Sequence, residues 1–371
     1  MTYDVTRVRS WFPALQGGTA YFDGPGGSQT PQQVATAVAD AMTAGLSNRG
    51  SVTAGERAAD TITLGARAAV ADLLGAHAGG IVFGRSMTAL TYELAHTLSS
   101  SWGPGDEVVV TNLDHDANIR PWVQAAAAAG ATLVWAELEP ATGELPLEAI
   151  TSVLSGRTRV LALTGASNVL GTRPDVAAAV AAAHAVGALV FVDGVHLTPH
   201  AAVDAAALGA DVYACSPYKF FGPHLGVLAA APSFWETLAP NKLLPSSNAV
   251  PERFELGTLP YELLAGTTAA VDTLADLDPE ATGTRRARVL TSMAAAEAHE
   301  EALFTRLLEG VSGMGHLTRH GRPAHATPTL WFSVDGHTGA QVHAHLAGLG
   351  INAPASNFYA IEASRALGLG D

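Results

Sequence analysis

Cysteine is nearly absent from the chain: Cys215 is the only one in 371 residues. An intrachain disulfide and a cysteine-based zinc site are therefore excluded, and we expect a cytosolic protein. Charged residues are also scarce, at 15%, and the formal net charge is -14. Because no cluster of Lys or Arg offers a surface to phosphates, the sequence argues against binding to nucleic acid or to anionic membranes. A small-molecule ligand fits this composition better.

Long apolar runs are lacking as well. Residues 1–7 contain no apolar core of signal-peptide length, and no stretch reaches the ~20 apolar residues that a membrane span requires. The sequence therefore predicts a protein that is neither exported nor anchored. Hydrophobic residues are abundant, at 48%, and many of them are alanine. This composition and length predict a compact, well-buried protein of two domains.

From residue 80 onward, short apolar runs alternate with longer helical stretches, a pattern typical of βα units on a mostly parallel sheet with helices on both faces. The predicted strands are 81–84, 107–111, 132–136, 159–164, 189–193, 212–216 and 225–230. The predicted helices between them lie near 88–100, 118–130, 146–154 and 174–186. The sequence thus predicts an α/β fold.

A loop rich in Pro, Ser and Asn at 244–251 interrupts this rhythm. Helices are predicted near 259–277 and 284–310, then a strand near 329–334 and a helix near 338–348. We divide the chain into an N-terminal segment (1–20) that packs on the small domain, a large domain (21–265) and a small α+β domain (266–371). His343 and His345 do not share a helix face, so no metal site is predicted there.

Two strand ends carry the most informative residues. Strand 189–193 ends in Asp193, and the next strand leads through Ser216 to Lys219. In a doubly wound sheet, ligands bind outside the carboxyl ends of the strands, so both side chains should face one crevice. A lysine amine condenses with an aldehyde, and an aspartate against a pyridine nitrogen keeps that nitrogen protonated. Taken alone, Asp193 could instead cap a turn and Lys219 could lie on the surface.

These segments resemble the class V aminotransferase and cysteine desulfurase-like family, nearest its "cysteine desulfurase-like" branch. The similarity runs from Tyr21–Ser28 through Val192–His196 and Ser216–Lys219 to about Leu264, and more weakly beyond. The resemblance implies a pyridoxal 5'-phosphate (PLP) enzyme of fold type I with a smaller α+β C-terminal domain. It implies that Lys219 holds PLP as a Schiff base, that Asp193 protonates its pyridine nitrogen, and that an amino acid or related amine reacts through a quinonoid.

The resemblance also assigns a phosphate cup to Ser86, Met87 and Thr88, with Ser216 as a further donor. The first turn of a helix presents unpaired N–H groups and a partial positive charge, so an anion is stabilised there. Ser86 and Thr88 would serve as N-cap residues in any case.

Three further positions match groups that contact the cofactor ring. His115 matches an imidazole that stacks on the ring face opposite the lysine, with Asp114 or Asp116 expected only to cap the following helix. Asn168 and His196 match residues that hydrogen-bond the phenolic oxygen of PLP, and an imidazole can also move protons near neutral pH. The alternative for His196 is a core histidine satisfied by the backbone.

The resemblance further implies a homodimer with a shared active site. Thr258, after Gly257, matches a turn that reaches the partner's phosphate cup. Asn48 and Arg49 match a segment that approaches the neighbouring site. Ser28 lies in a loop that matches the one facing the substrate carboxylate.

The sequence departs from the family in two places. Residues 351–360 contain no cysteine where desulfurases carry the persulfide-forming one, and Cys215 lies within a strand, so the persulfide route is doubtful. By the same resemblance, the small domain lacks the last strand and helix, which usually carry the arginine for the substrate carboxylate. Arg49, or with less support Arg253 or Arg322, would then replace that arginine, and the alternatives are a truncated or damaged chain or an altered substrate. The resemblance supports C–S lyase chemistry by β-elimination and aminotransfer about equally, and it supports epimerisation less. The rival hypothesis is a catalytically idle PLP-binding protein.

Overall fold

The computed structural model describes residues 4–370, and its centre is a seven-stranded sheet. A short strand, β1 (Ala20–Tyr21), lies outside this sheet. The sheet consists of β2 (Ile81–Gly84), β3 (Glu107–Thr111), β4 (Thr132–Ala136), β5 (Thr158–Thr164), β6 (Leu189–Asp193), β7 (Val212–Cys215) and β8 (Gly226–Ala230). Their order is β2-β8-β7-β6-β5-β3-β4. β8 runs antiparallel to both of its neighbours, β2 and β7, and all other pairs are parallel. The predicted α/β fold with a mostly parallel sheet is confirmed, and each of the seven strands predicted for this sheet agrees with an observed one within one residue at either end.

The central strands β3, β5 and β6 are apolar in their middle because the sheet is covered on both faces. In β3, Val109 packs in one hydrophobic cluster while Val108 and Val110 pack in another on the opposite face. In β6, Val192 and Phe191 divide in the same way. The two-residue period of a strand thus feeds two separate cores.

Several of the helices that surround the sheet begin at recognisable capping residues. The surrounding helices are α1 (Val5–Ser10), α2 (Gln32–Thr43), α3 (Ala54–Leu74), α4 (Met87–Ser99), α5 (Arg120–Ala129), α6 (Leu147–Thr151), α7 (Val176–Ala185), α8 (Ala205–Leu208), α9 (Pro232–Glu236), α10 (Tyr261–Ala275) and α11 (Arg285–Ser312). Thr53 and Glu56 form a capping box at the start of α3, and Ser86 caps α4. No helix within residues 4–370 is long and apolar enough to cross a membrane.

The C-terminal part contains a two-stranded antiparallel sheet of β9 (Leu317–His320) and β10 (Trp331–Val334), followed by α12 (Gly339–Gly348), β11 (Ile351–Asn352) and α13 (Ile361–Ala366). Strand β1 pairs in parallel with β11. Val8 and Phe12 of the N-terminal segment are buried in the core that also contains α3 and α10 residues. The proposed division at residue 265 falls inside α10, which packs against α2, α3 and α11. Where the domains divide stays a prediction.

Candidate active site

The carboxyl ends of β5, β6 and β7 open onto one cavity together with the N-terminus of α4. Parallel strands present their ends at the same edge of a sheet, so residues far apart in sequence meet there. Nine of the residues singled out from the sequence line this cavity: Ser86, Met87, Thr88, His115, Asn168, Asp193, His196, Ser216 and Lys219.

Lys219 is half-buried, and Asp193 is buried. Lys219 ends the 3-10 turn Pro217–Lys219, and its Nζ donates to the carbonyl oxygen of Pro25. Burial lowers the pKa of Lys219 to about 8, although the carboxylate of Asp193 opposes this. A lysine with this pKa has a larger share of neutral amine, the form that condenses with an aldehyde. Because Lys219 lines the cavity and is half-buried, the alternative of a surface lysine is wrong.

Asp193 is 5% exposed, and its Oδ1 accepts a hydrogen bond from the Val195 amide at 2.9 Å. Burial raises the pKa of Asp193 to about 6, against the opposing effects of that amide and of Lys219. Asp193 therefore does hold a turn, but it also lies on the cavity wall. Gly194 follows it because a Cβ there would lie 2.0 Å from the buried ring of Tyr213.

The start of α4 forms the opposite wall. Ser86 Oγ accepts from the Ala89 amide at 3.1 Å, so the N-cap role foreseen for Ser86 is present. Strand β8 lies directly behind this turn, and Gly226 permits the approach. A Cβ on Gly226 would lie 2.2 Å from the carbonyl carbon of Ser86 and 2.4 Å from the amide nitrogen of Met87. The packing holds the helix N-terminus against the sheet edge, where it can bind an anion.

His115, rather than either neighbouring aspartate, caps the turn that follows it. Its Nδ1 accepts from the Ala117 amide at 3.0 Å. Asp114 is fully buried and accepts from the hydroxyl of Thr111 and from Asn118 Nδ2 at 2.7 Å. The expectation that Asp114 or Asp116 caps the helix is therefore wrong.

Asp116 is not available as a cap because it forms an ion pair with Arg120 at 2.7 Å.

Burial, and then the charge of Lys219, lowers the pKa of His115 to about 4. The imidazole is therefore neutral. Since its Nδ1 accepts a hydrogen bond, its proton resides on Nε2.

Asn168 and His196 lie on the remaining wall. Asn168 Nδ2 donates to the carbonyl oxygen of Phe358 at 3.0 Å, whereas its Oδ1 is buried without a hydrogen-bond partner. His196 Nε2 lies 3.0 Å from the hydroxyl oxygens of both Thr327 and Thr329. The alternative of a core histidine satisfied by the backbone is wrong, because its partners are side-chain hydroxyls.

The polar groups of this cavity fit PLP. Asn168 Nδ2 gives one N–H to the Phe358 carbonyl and keeps a second one that can donate to a phenolic oxygen. The helix N-terminus at Ser86 suits a phosphate, Asp193 suits a pyridine nitrogen, and Lys219 suits an aldehyde.

Four residues singled out from the sequence do not line the cavity. Ser28 Oγ donates to the Tyr218 carbonyl at 3.1 Å and accepts from the Phe221 amide at 2.7 Å, so it ties its loop to the turn that carries Lys219. Asn48 and Thr258 are exposed. The roles foreseen for Asn48 and Thr258 in a shared site stay predictions.

Arg49 is held by two carboxylates of its own chain. Its Nε donates to Asp60 at 2.8 Å and its NH1 to Glu252 at 3.0 Å. Arg253, considered as a replacement, pairs with Glu236 at 2.8 Å. A substrate carboxylate at either arginine would compete with these partners. The role foreseen for Arg49 at a substrate stays a prediction.

Sequence reasoning missed several residues around the cavity. Thr327 and Thr329 are far from His196 in sequence, and no local pattern marks them. Tyr218 lines the cavity and stacks on His224, with ring centroids 4.6 Å apart. The position of Tyr218 beside Lys219 could have suggested it.

Comparisons with known proteins agree with this geometry. The model of the family Aminotransferase class-V matches residues 20–355. An uncharacterized protein of Mycobacterium tuberculosis is 37% identical over 96% of this chain and 89% of its own length. A cysteine desulfurase of Klebsiella pneumoniae is 32% identical over 95% of this chain and 88% of its own. The crystal structure of the cysteine desulfurase CsdA (S-sulfonic acid) from Escherichia coli has a TM-score of 0.87 at 27% identity, covering 100% of this chain and 92% of that one.

The match covers most of the chain, and the fold is that of the PLP-dependent transferases of fold type I. Members of the family use PLP as their cofactor. The chain belongs to the class V aminotransferase family, in its cysteine desulfurase-like branch.

Proposed function

We propose that the protein is a PLP-dependent enzyme that acts on an amino acid or a related amine. The observation that carries the proposal is that Lys219, Asp193 and the N-terminus of α4 line one cavity. When bound, PLP withdraws electrons from the α-carbon of an amine attached to it. We infer a cytosolic homodimer.

Each residue of the cavity has a distinct role in this proposal. Lys219 binds the cofactor aldehyde and then takes up or returns the proton at the substrate α-carbon. Asp193 holds a proton at the pyridine nitrogen, since a buried carboxylate is stabilised by a cation beside it. The first turn of α4 and Ser216 bind the phosphate. The neutral ring of His115 covers one face of the cofactor.

Sulfur chemistry through a protein persulfide is disfavoured by the position of the only thiol. Cys215 is fully buried in β7, and burial, followed by the charge of Asp193, raises the pKa of its thiol far above the usual range. A thiol needs to be a thiolate and accessible to act as a nucleophile. Relatives are named cysteine desulfurases, and we propose that this chain breaks a C–S bond by β-elimination or transfers an amino group instead.

Two other outcomes remain as second candidates. Epimerisation needs the same removal of an α-proton and would use the same Lys219. An idle PLP-binding protein would bind the cofactor without turnover. The presence of Lys219, Asp193 and His115 around one cavity favours an active enzyme.

A panel of amino acids assayed in parallel for pyruvate, keto acid, sulfide and racemised product tests the reaction. We expect one substrate class to give product with the wild-type protein and with Lys242→Ala, and none with Lys219→Ala. Lys242 is the matched control because it is the only other lysine of the chain and does not line the cavity. A spectrum that responds to no amine, together with no product from any substrate, would favour the idle protein.

The shared active site has its own test. We propose that Thr258 donates to the phosphate bound by the partner, so one site uses Lys219 and Thr258 from different chains. Lys219→Ala and Thr258→Val chains should each lose activity, and mixed dimers should regain part of it. Mixed dimers that form, as seen by mass spectrometry, without regaining activity would contradict a shared site.

A further inference from the structure

His196 separates the cavity that contains Lys219 from a second, polar cavity at the surface. The second cavity is lined by His200, Glu300 and Thr327, among others. The rings of His196 and His200 have centroids 4.9 Å apart. Thr327 Oγ1 contacts His196 Nε2 at 3.0 Å. One imidazole thus has the cofactor cavity on one side and hydroxyl groups on the other.

The hydroxyl groups of Thr327 and Thr329 share the Nε2 side of the ring. Each lies 3.0 Å from Nε2, and the two hydroxyl oxygens are 3.2 Å apart. Two other acceptors lie within reach of Thr327 Oγ1: the hydroxyl oxygen of Thr329 and, at 3.4 Å, the carbonyl oxygen of Gly171. Nε2 is therefore the nearest acceptor for a proton from either hydroxyl.

The segment that carries these threonines is fixed to the turn that carries Asn168. The Thr327 amide donates to the Gly171 carbonyl at 2.9 Å, and Thr172 forms a β-bridge with Ala326. Gly171 has a φ of +74°, and a Cβ there would lie 2.6 Å from the Thr327 carbonyl oxygen. The close packing fixes the backbone that carries Thr327 beside the turn that carries Asn168.

The other nitrogen of His196 is open. Within residues 4–370, His196 Nδ1 forms no hydrogen bond, and it is not sealed from solvent. Since His196 lines the cofactor cavity and not the surface cavity, Nδ1 is the ring nitrogen left to serve the cofactor.

His196 is also held neutral. Burial, and then the charges of His200 and Lys219, lowers the pKa of His196 well below its usual range. His200 itself lies 2.8 Å from Glu300 through its Nδ1, which fixes it beside His196. A neutral imidazole carries one proton, so a nitrogen that accepts from a hydroxyl leaves that proton on the other nitrogen.

We propose that Thr327 and Thr329 are positioning residues that occupy Nε2 of His196 and so place its proton on Nδ1, where it donates into the cofactor cavity. The acceptor there is the phenolic oxygen of PLP, so the inference rests on the proposed cofactor site. A donor at that oxygen stabilises its anionic form, which lowers the pH at which the lysine-bound cofactor loses its proton and its visible absorbance.

The test compares Thr327→Val/Thr329→Val, which removes both hydroxyls at nearly constant volume, with Thr327→Ser/Thr329→Ser, which keeps them. The first readout is the protonation of the two ring nitrogens in protein labelled with ¹⁵N-histidine, with the signals of His196 identified by their loss in His196→Gln. We expect protonated Nδ1 and unprotonated Nε2 in the wild type and the Ser variant, with or without PLP. The Val variant should lose this preference.

The second readout is the pH midpoint of the visible absorbance of the loaded protein. The loss of one hydrogen bond to a charged group costs about as much free energy as one pKa unit represents. We therefore expect the pH midpoint to rise by about one unit in the Val variant and to change little in the Ser variant. Circular dichroism checks that all variants fold. A proton on Nε2 in the wild type, or equal midpoints for Val and Ser variants, would overturn the inference. Absence of any lysine-bound absorbance in the wild type would instead refute the proposed cofactor site, while the nitrogen readout would still decide the role of the threonines.

Discussion

The ion pair between Arg67 and Glu255 links the strand before the phosphate cup to the segment before Thr258. The two side chains are 3% and 4% exposed, and two parallel N–O contacts of 2.8 Å join them. Glu255 also accepts from the Phe83 amide at 2.9 Å, and Arg67 donates to the carbonyl of Ile81, both in β2. Changing Glu255 to Gln therefore leaves a buried guanidinium without its closest counter-charge.

The magnitude follows from this burial. Burial raises the pKa of Glu255 even though Arg67 opposes the rise, so the pair is not a large net source of stability. Breaking it is costly, because one charge stays buried. Glu252, 3.6 Å from Arg67, compensates in part. We expect Glu255→Gln to lower the free energy of unfolding by about 3 kcal/mol, at the low end for a broken buried pair.

Glu236→Gln is the matched control for this prediction. Glu236 pairs with Arg253 at the same 2.8 Å, but its side chain is 64% exposed. The same substitution there should change the free energy of unfolding by less than about 1 kcal/mol. Replacing both buried partners, as in Arg67→Met/Glu255→Leu, should recover most of the loss, since no charge is left unpaired.

Urea unfolding followed by circular dichroism measures all four proteins. The urea concentration at the unfolding midpoint should drop clearly for Glu255→Gln, drop little for Glu236→Gln and recover in the double variant. The dependence of the unfolding free energy on urea concentration should be similar in all four proteins. Affinity for PLP should fall with Glu255→Gln, because β2 leads into the phosphate cup. Equal midpoints for the buried and the exposed variant would refute the reasoning.

Three further predictions concern acidic groups and the thiol. Asp193→Asn should keep PLP bound through the phosphate cup but lose most turnover, and near wild-type turnover would remove Asp193 from the mechanism. Cys215→Ser should leave activity largely intact, whereas loss of sulfide release together with a trapped persulfide on Cys215 would contradict this. Burial raises the pKa of Asp114 to about 8, above the value of about 3.9 in an unfolded chain, so the folded state holds the proton more tightly. The stability that this proton provides is complete below about pH 4 and is lost as the pH rises toward 8. The melting temperature of Asp114→Asn should therefore fall less steeply between pH 5 and 8 than that of the wild type. Parallel curves of melting temperature against pH for the two proteins would contradict this prediction.

The strands could be predicted from the sequence because β3, β5 and β6 are buried on both faces and therefore appear as continuous apolar runs. The end of β6 at Asp193 then located the cavity, since the ends of parallel strands share one edge. The resemblance supplied further residues of its wall, but not Tyr218.

Features that depend on tertiary docking could not be predicted. Thr327 and Thr329 reach His196 only because their segment packs on the turn at Gly171. The cap by His115 replaced the expected aspartate cap because Asp114 turns inward to Thr111 and Asn118.

The central claim is that Lys219 binds PLP covalently, and borohydride reduction followed by peptide mass spectrometry tests it most directly. The chain has two lysines, Lys219 and Lys242, so the assignment is unambiguous. Lys242 Nζ donates to the Ser246 carbonyl at 2.9 Å and lies outside the cavity. We predict a phosphopyridoxyl group on Lys219, none on Lys242, and no adduct in Lys219→Ala. A reduced adduct on Lys242, or an unmodified Lys219 in protein that has bound PLP, would contradict the account.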